Sequence, residues 1–302
     1  GGLIVQNTSW RWIFYVNVPI GVIAVVAALR ILPNVKPQPA GRLDFRGLVL
    51  MSGGVALITY GLAEIGSTGS FTSPKVLGPL FGGLALVALF TVVSLRIPRP
   101  LLDLRLFRRP TYSTASIAMF CLSAALFGGM ILLPLYWQNV RHMSVVDAGL
   151  LMAPQGLGAA LTMPIAGKLS DRYGGGPLTL LGVSITALLT IPFGLIGSHT
   201  SILWLSVAMF ARGTGIGFGF MPAMTAAFAS LERSELSDAS PQLNVLQRIG
   251  GSLGTAVLAV VLERSLVGAH TASSMAGAYG TAFWASAVLA AIAFVPSIIL
   301  LR

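Results

Sequence analysis

Charged side chains are scarce in this sequence. Lys, Arg, Asp and Glu make up 9% of its 302 residues, whereas about 25% is usual for a soluble domain. Hydrophobic residues make up 55%, and the chain also holds 35 glycines and 17 prolines, two residue types that are frequent in membrane helices. Because so few charged groups cannot build a water-soluble surface, the composition predicts a protein that lies in lipid.

Cysteine and histidine are also scarce. The single cysteine, Cys121, lies inside an apolar run, so this sequence excludes a disulfide framework and a cysteine-based metal site. The three histidines, His142, His199 and His270, fall in different connecting segments. Neither residue type therefore forms a metal-binding pattern.

The net charge is nevertheless +10, which raises the question of a nucleic-acid partner. The Lys and Arg side chains lie mostly in short segments between apolar runs. No basic face is interleaved with aromatic residues, as a nucleic-acid groove requires. We therefore expect no nucleic-acid partner, and we expect the lipid bilayer to surround the chain.

Apolar runs of membrane-spanning length recur along the chain. A bilayer core about 30 Å thick needs around 20 apolar residues per helix, and nine runs approach that length. They cover residues 12–32, 48–65, 76–95, 115–137, 148–166, 178–196, 202–231, 243–262 and 279–301. The sequence thus predicts an all-α membrane protein with about nine transmembrane helices.

The distribution of Lys and Arg predicts the orientation of these helices, because both residues favour cytoplasmic connections. One set of alternate connections, together with the C-terminus, holds most of them, whereas the opposite set holds only Arg11, Lys75, Arg141 and Arg264. An odd number of spans places the two ends on opposite sides. We therefore expect a multi-pass protein of the inner or plasma membrane, with its first residue outside and its last residue in the cytoplasm.

Two long connections, residues 34–46 and 98–114, divide the chain. The second mixes several leucines and Phe107 with Arg105, Arg108 and Arg109. Such a mixture favours a short helix in the membrane interface, with its basic side chains facing anionic headgroups. Six apolar runs follow it in one block.

The opening residues resemble a known family. Gly1 and Gly2 are followed by the segment Trp10-Arg-Trp-Ile-Phe-Tyr-Val-Asn-Val-Pro-Ile-Gly21. This pattern is similar to a stretch of the major facilitator superfamily, specifically its 14-helix drug:proton antiporter branch (EmrB/QacA type), in which a Gly-Gly pair ends helix 5 and a Trp-Arg-Trp-Ile-Phe segment starts helix 6. The resemblance implies a major facilitator-like polytopic bundle and an N-terminally truncated fragment with helices 6 to 14, which agrees with the nine apolar runs.

The resemblance also implies a division into parts. Residues 1–33 would form the last helix of an N-terminal bundle, and residues 34–97 would form two accessory transmembrane helices. Residues 98–114 would be a cytoplasmic interfacial linker. Residues 115–302 would form a C-terminal six-helix bundle of two inverted three-helix repeats.

By implication of the family, the whole protein is a secondary transporter and not an enzyme. It would exchange protons for small amphipathic or cationic organic compounds by alternating access, as in multidrug efflux and antibiotic resistance. Its energy source would be the proton gradient, without a metal or an organic cofactor, and we expect a monomer. Because the family's proton-coupling carboxylate and arginine belong to helices upstream of this sequence, we expect that this chain alone does not transport.

A second resemblance concerns the connection after the fifth apolar run. Gly167-Lys-Leu-Ser-Asp171-Arg172-Tyr-Gly174 is similar to the superfamily's cytoplasmic loop signature, with glycines in place of the two basic residues that normally follow. The resemblance implies that Gly167, Asp171, Arg172 and Gly174 form a conformational gating motif. The alternative is a solvated turn with a charge pair.

Arginine and glycine also occur inside apolar runs. Arg212 begins a glycine-rich stretch similar to an Arg-and-Gly helix of the family, and a buried arginine is expected to face a cavity or a partner. The alternative is that backbone carbonyls bind it. Arg248 lies within reach of the cytoplasm by snorkelling. The glycines expected to pack helices closely are Gly213, Gly217, Gly250 and Gly254.

Several runs combine methionine, aromatic and amide side chains, which re-pack around ligands of different shape. The candidate substrate-cavity residues are Met119, Phe120, Phe127, Met130, Tyr136, Gln138, Met152, Gln155, Arg212, Asn244 and Gln247. Ordinary packing is the alternative for each of them. Among the remaining polar residues, Ser144 and Asp147 predict a helix cap.

Other functions remain open at this point. A transporter of the same superfamily with another cargo, such as a siderophore, a sugar derivative or a self-made antibiotic, fits the same patterns. An intramembrane enzyme would need a paired nucleophile and base, and the G-x-S-x-G pattern around Ser252 lies in a helical, apolar context instead of a strand-to-helix turn. A passive channel would lack uphill transport driven by a pH gradient.

Overall fold

The computed structural model describes residues 11–31, 44–68, 72–97, 100–232 and 235–301, and every regular element in these ranges is helical. The Gly1-Gly2 pair and most of the first connection lie outside the described residues. The α-helices, numbered in chain order, are α1 Trp12–Tyr15, α2 Asn17–Ile31, α3 Phe45–Thr68, α4 Pro74–Arg96, α5 Pro110–Asn139, α6 Val145–Leu151, α7 Ala153–Tyr173, α8 Gly175–Leu188, α9 Ile191–Gly194, α10 Ile202–Ala229, α11 Leu236–Leu266, α12 Ala272–Ile292 and α13 Phe294–Ile299.

Eight stretches within the described residues are long and apolar enough to cross a membrane. They correspond to the last eight of the nine predicted runs, so the expected all-α membrane fold is confirmed. The first predicted run falls on α1 and α2, and α2 has 15 residues, which is short of the usual span. The count of spans in the described residues is therefore one lower than expected.

Three of the eight spans are interrupted helices. Met152 separates α6 from α7, Thr190 precedes α9, and Ala293 separates α12 from α13. A proline follows each break within three residues, and proline lacks the N–H group that would continue the helical hydrogen bonds. The Ser144 cap is confirmed, because its hydroxyl accepts a hydrogen bond from the Asp147 N–H at 3.1 Å at the start of α6.

The six spans from α5 to α13 form one bundle whose two halves exchange contacts. The first helix of one half, α5, packs against α11 and α12 of the other half. Equally, α10 packs against α7 and α8. The first helix of each half thus packs against two helices of the other half, which is compatible with the predicted pair of three-helix repeats.

Glycines allow the closest of these contacts. A Cβ atom on Gly213 would meet the Gln155 carbonyl oxygen of α7, and one on Gly217 would meet the Thr162 hydroxyl. A Cβ on Gly254 of α11 would meet the Ala124 backbone of α5. The predicted packing glycines thus lie where two helices approach one another.

Helices α3 and α4 pack together as a hairpin, and α3 attaches the hairpin to α11. The Thr59 and Ser252 hydroxyls lie 3.3 Å apart across this contact. Ile65, Val76 and Val260 form a small buried cluster between the hairpin and α11. The hairpin therefore rests on the outside of the six-span bundle.

The second long connection contains a short 3₁₀ helix, Leu104–Arg108, at the place where the sequence predicts a short helix. Leu102 and Leu106 are buried against the protein. Arg109 donates hydrogen bonds to the Ser230 carbonyl and, at 2.8 Å, to the Glu235 carboxylate. The expectation that the basic residues here face lipid headgroups is thus wrong for Arg109, because the connection between α10 and α11 offers it acceptors.

Candidate functional site: two cavities and a buried arginine

Four helices of the bundle, α5, α7, α10 and α11, surround a cavity of about 290 Å³. We call it the four-helix cavity. Its lining is apolar apart from one amide side chain. The lining residues are Met119, Leu126, Phe127, Met163, Ile216, Phe220, Met221, Met224 and Gln247.

The chemistry of this lining suits apolar ligands of variable shape. Four of its nine side chains are methionines, which are flexible and polarisable. Met163 is 39% exposed and Met221 43% exposed, so both residues are accessible from the surface. Gln247 supplies a donor and an acceptor that can orient a polar group of a ligand.

The structure brings three of the predicted substrate-cavity residues, Met119, Phe127 and Gln247, to this cavity. It places the others elsewhere. Phe120 packs by its backbone against Gly250, and Met152 packs against a buried cluster. The polar groups of Tyr136, Gln138 and Asn244 donate hydrogen bonds to the backbone carbonyls of Gly197, Pro134 and Ser240, respectively. Met130 is 45% exposed and does not line any of the cavities described below or above.

Arg212 lies in the core of the bundle and not at the four-helix cavity. Its side chain is 0% exposed. Its guanidinium donates to the Thr190 hydroxyl at 3.1 Å, to the Gln155 side-chain oxygen at 3.3 Å and to the Ala125 carbonyl at 3.2 Å. Arg212 on α10 is thereby connected to α5, to α7 and to the turn after α8, and Gln155 belongs to this network as well.

A glycine provides the space for the Arg212 guanidinium. A Cβ atom at Gly129 would lie 2.8 Å from Nη2 of Arg212. Among the described residues Arg212 hydrogen-bonds only neutral groups, and a buried charge of this kind depends on every one of its partners. A backbone carbonyl thus binds Arg212, as in the alternative interpretation of this residue, and a hydroxyl and an amide side chain bind it as well.

The gating-motif residues lie at the end of α7. Among the described residues Asp171 has no ion-pair partner, and Arg172 lies over the Tyr173 ring at 5.4 Å from its centroid. Gly174 has φ +83° and ends the helix. Side chains at the next two positions would collide with the Pro222 and Leu300 carbonyls, so the structure has no room for the basic pair of the family signature at Gly175 and Gly176.

A second, larger cavity was not expected from the sequence. It has a volume of about 730 Å³ and lies between α3, α11 and residues 101–102; we call it the α3–α11 crevice. A chamber of about 460 Å³ adjoins it and shares Thr59, Ala63 and Ser252 with it. Phe127 lines both this chamber and the four-helix cavity.

Ser252 lies inside α11, a helix of 31 residues, and shares a hydrogen bond with Thr59. The strand-to-helix turn of a hydrolase is therefore absent at this position. In the described part of the chain no group of three His, Cys, Asp or Glu side chains is placed to hold a metal ion.

The fold and the cavities define a multi-pass helical membrane protein with an accessible apolar pocket between its helices. The family model of the Major Facilitator Superfamily matches residues 1–255. The chain belongs to this superfamily of transporters, and the family resemblance of its sequence is confirmed.

Several curated proteins are similar to the chain. The "Multidrug resistance protein B homolog" of Mycobacterium tuberculosis is 38% identical over 265 residues, which cover 87% of this chain and 49% of that protein. The "Tetracenomycin C resistance and export protein" of Streptomyces glaucescens is 32% identical over 276 residues, which cover 87% of this chain and 49% of that protein. The "Lincomycin resistance protein LmrB" of Listeria monocytogenes is 29% identical over 262 residues, which cover 87% of this chain and 55% of that protein. The chain thus spans about half the length of these relatives.

Proposed function

We propose that this chain is the cavity-bearing part of a secondary transporter that exports small amphipathic or cationic organic compounds in exchange for protons. The observation that carries the proposal is the four-helix cavity, whose methionine and phenylalanine side chains form an adaptable apolar surface with a single amide. Such surfaces accept many ligands in place of one. The names of the relatives, which include multidrug resistance and antibiotic export, support this class of cargo.

The packing of the bundle supports a transport cycle by alternating access. Four helices converge on the cavity, and its exposed methionines face away from the bundle core. A partner bundle that rocks against this surface would open the cavity to one side of the membrane and then to the other. The proton gradient would drive the cycle without a metal or an organic cofactor, and the whole transporter would act as a monomer in the inner or plasma membrane.

One observation favours a natural product as the cargo. The name of the tetracenomycin C relative includes both resistance and export, and the apolar parts of an antibiotic are groups that methionine and phenylalanine side chains can cover. A panel of such compounds, tested against the natural gene product, separates this cargo from synthetic amphipathic cations.

The proposal is tested with the natural gene product in proteoliposomes, using ethidium as an aromatic cation. Ethidium is expected to move uphill when a pH gradient is applied and to stop when a protonophore collapses the gradient. Met163→Trp and Met221→Trp fill the four-helix cavity and are expected to lower the export rate at least severalfold. Leu203→Trp is the matched control, because Leu203 is 75% exposed on the same helix as Met221.

Two results would contradict the proposal. Ethidium movement that follows its own gradient and ignores the pH gradient would indicate a passive channel. Normal export by both cavity-filling variants would show that the four-helix cavity does not hold the cargo.

A further inference from the structure

The α3–α11 crevice has an apolar body with one charged group beside it. Its walls are stripes of apolar and small residues, with Leu48, Val55 and Ala56 on α3 and Val245 and Ile249 on α11. The buried cluster of Ile65, Val76 and Val260 lies where the hairpin meets α11, and residues 101–102 line the crevice as well. A cavity of about 730 Å³ with such walls is large enough for a drug-sized apolar group.

Arg248 lines the adjoining chamber. It is exposed, and it makes no hydrogen bond or ion pair with any residue that the structure describes. Among the described residues that line this chamber it is the one charged side chain, and hydroxyls of Thr59, Ser252 and Thr255 surround the same space. These groups together offer a cation and hydrogen-bond donors to an incoming acidic group.

The depth of Arg248 decides which kind of anion fits. The span that contains it, Ala239–Leu266, has 28 residues and is longer than a bilayer core about 30 Å thick requires. Arg248 lies about 14 Å along the helix from the start of this span and therefore inside the core, short of its middle. A membrane lipid keeps its headgroup at the interface, at the end of the span. An unpaired guanidinium at this depth is costly, and a free anion that carries its own apolar body can neutralise it there.

We propose that the α3–α11 crevice and its chamber are a second ligand site, which binds a lipophilic organic anion with its acidic group on Arg248 and its apolar body between α3 and α11. Phe127 lines both the chamber and the four-helix cavity, so this side chain borders both the second site and the candidate cargo cavity. The inference rests on the proposed function only in so far as the anion is cargo, because binding itself requires no transport.

The binding test uses radiolabelled dodecanoate as the anion and dodecyltrimethylammonium as a cation with the same chain length. The natural gene product is placed in phosphatidylcholine nanodiscs, and equilibrium binding is measured without a pH gradient. The wild-type protein is expected to bind dodecanoate saturably and to prefer it over the cation. Arg248→Gln is expected to weaken dodecanoate binding roughly tenfold or more, because a charge-assisted contact is lost, whereas Arg248→Lys is expected to retain much of it.

The apolar half of the site is tested by filling it. Ala56→Phe places a ring inside the crevice and is expected to weaken dodecanoate binding without changing the folded state, which the elution profile of the purified protein checks. Val49→Phe is the matched control on the same helix, because Val49 is 53% exposed and does not line the crevice. Arg108→Gln is the control for charge, because Arg108 is exposed outside the site.

The possible results separate the alternatives. Absence of saturable dodecanoate binding to the wild-type protein, equal binding of the cation, or unchanged binding by Arg248→Gln or by Ala56→Phe overturns the proposal. Displacement of dodecanoate by phosphatidylglycerol added to the nanodiscs shows that a lipid headgroup occupies Arg248 and also overturns it. Dodecanoate binding through Arg248 in a protein that shows no pH-driven export refutes the proposed function and leaves the second site intact.

Discussion

At the scale of single residues, the buried charge of Arg212 is satisfied by hydrogen bonds to neutral groups. Arg212 has no exposed surface, and its hydrogen bonds go to a hydroxyl, an amide and a carbonyl on three different parts of the bundle. The sequence shows that an arginine lies within an apolar run. It does not show the partners, because Gln155 and Thr190 lie 57 and 22 residues away along the chain.

A pair of threonines in the same segment tests this account. Thr190→Val removes the acceptor of the Arg212 Nε–H group and is expected to lower the free energy of unfolding by about 1–3 kcal/mol. Thr186 is the matched control, because its hydroxyl is buried without a hydrogen-bond partner among the described residues. Thr186→Val is therefore expected to be neutral or slightly stabilising.

The measurement for both threonine variants is thermal unfolding of the purified protein in detergent. A midpoint for Thr190→Val equal to that of Thr186→Val would show that the Arg212 network contributes nothing to stability.

At the scale of helices, glycines decide how near two elements lie. Gly254 is placed where a side chain would enter the backbone of α5 at Ala124. The spacing of Gly250 and Gly254 predicted a face of small residues, and the structure shows that this face meets α5. The same spacing does not specify the partner helix, because any helix with a smooth surface can approach such a face.

Substitution of this glycine is expected to separate α11 from α5. Gly254→Ala inserts a methyl group against the Ala124 backbone and is expected to destabilise the protein by roughly 1–3 kcal/mol. Gly277 of α12 is the matched control, because a Cβ atom there meets nothing within 4 Å.

Gly277→Ala is expected to leave stability unchanged or to raise it slightly, since alanine is the better helix former. The midpoint of thermal unfolding distinguishes the two positions, and equal shifts would contradict the role of Gly254.

At the scale of the whole molecule, one end of the bundle collects the segments that the charge distribution assigns to the cytoplasm. Arg109 at the start of α5 binds Ser230 and Glu235 between α10 and α11. The turn after α7 packs against α10 and against Leu300 near the end of the chain. The side of the membrane on which this end lies is a prediction from the Lys and Arg distribution.

Cysteine labelling in intact cells tests the orientation. With Cys121 replaced by serine, His199→Cys in the connection before α10 is expected to react with a membrane-impermeant maleimide. Glu232→Cys in the connection after α10 is expected to react only after the cells are permeabilised. Both positions are exposed and lie outside the candidate spans, so reversed labelling would invert the topology.

The sequence by itself determined the class of this protein and its approximate spans. Hydropathy and helix length are local properties, and the cost of exposing a peptide group to hydrocarbon forces each apolar run to be a helix. The family also followed from contiguous residues, since short motifs such as the segment from residue 167 to residue 174 are read along the chain.

Only the tertiary structure decided which side chains meet. Met119, Phe127 and Gln247 share a cavity, whereas Tyr136 and Arg212 of the same candidate set are buried elsewhere. In a membrane helix that is apolar on every side, the hydrophobic pattern does not distinguish the face towards lipid from the face towards the bundle. The crevice beside Arg248 also had no sequence signal. Its two walls belong to α3 and α11, which meet through residues as distant along the chain as Thr59 and Ser252, and this contact depends on packing.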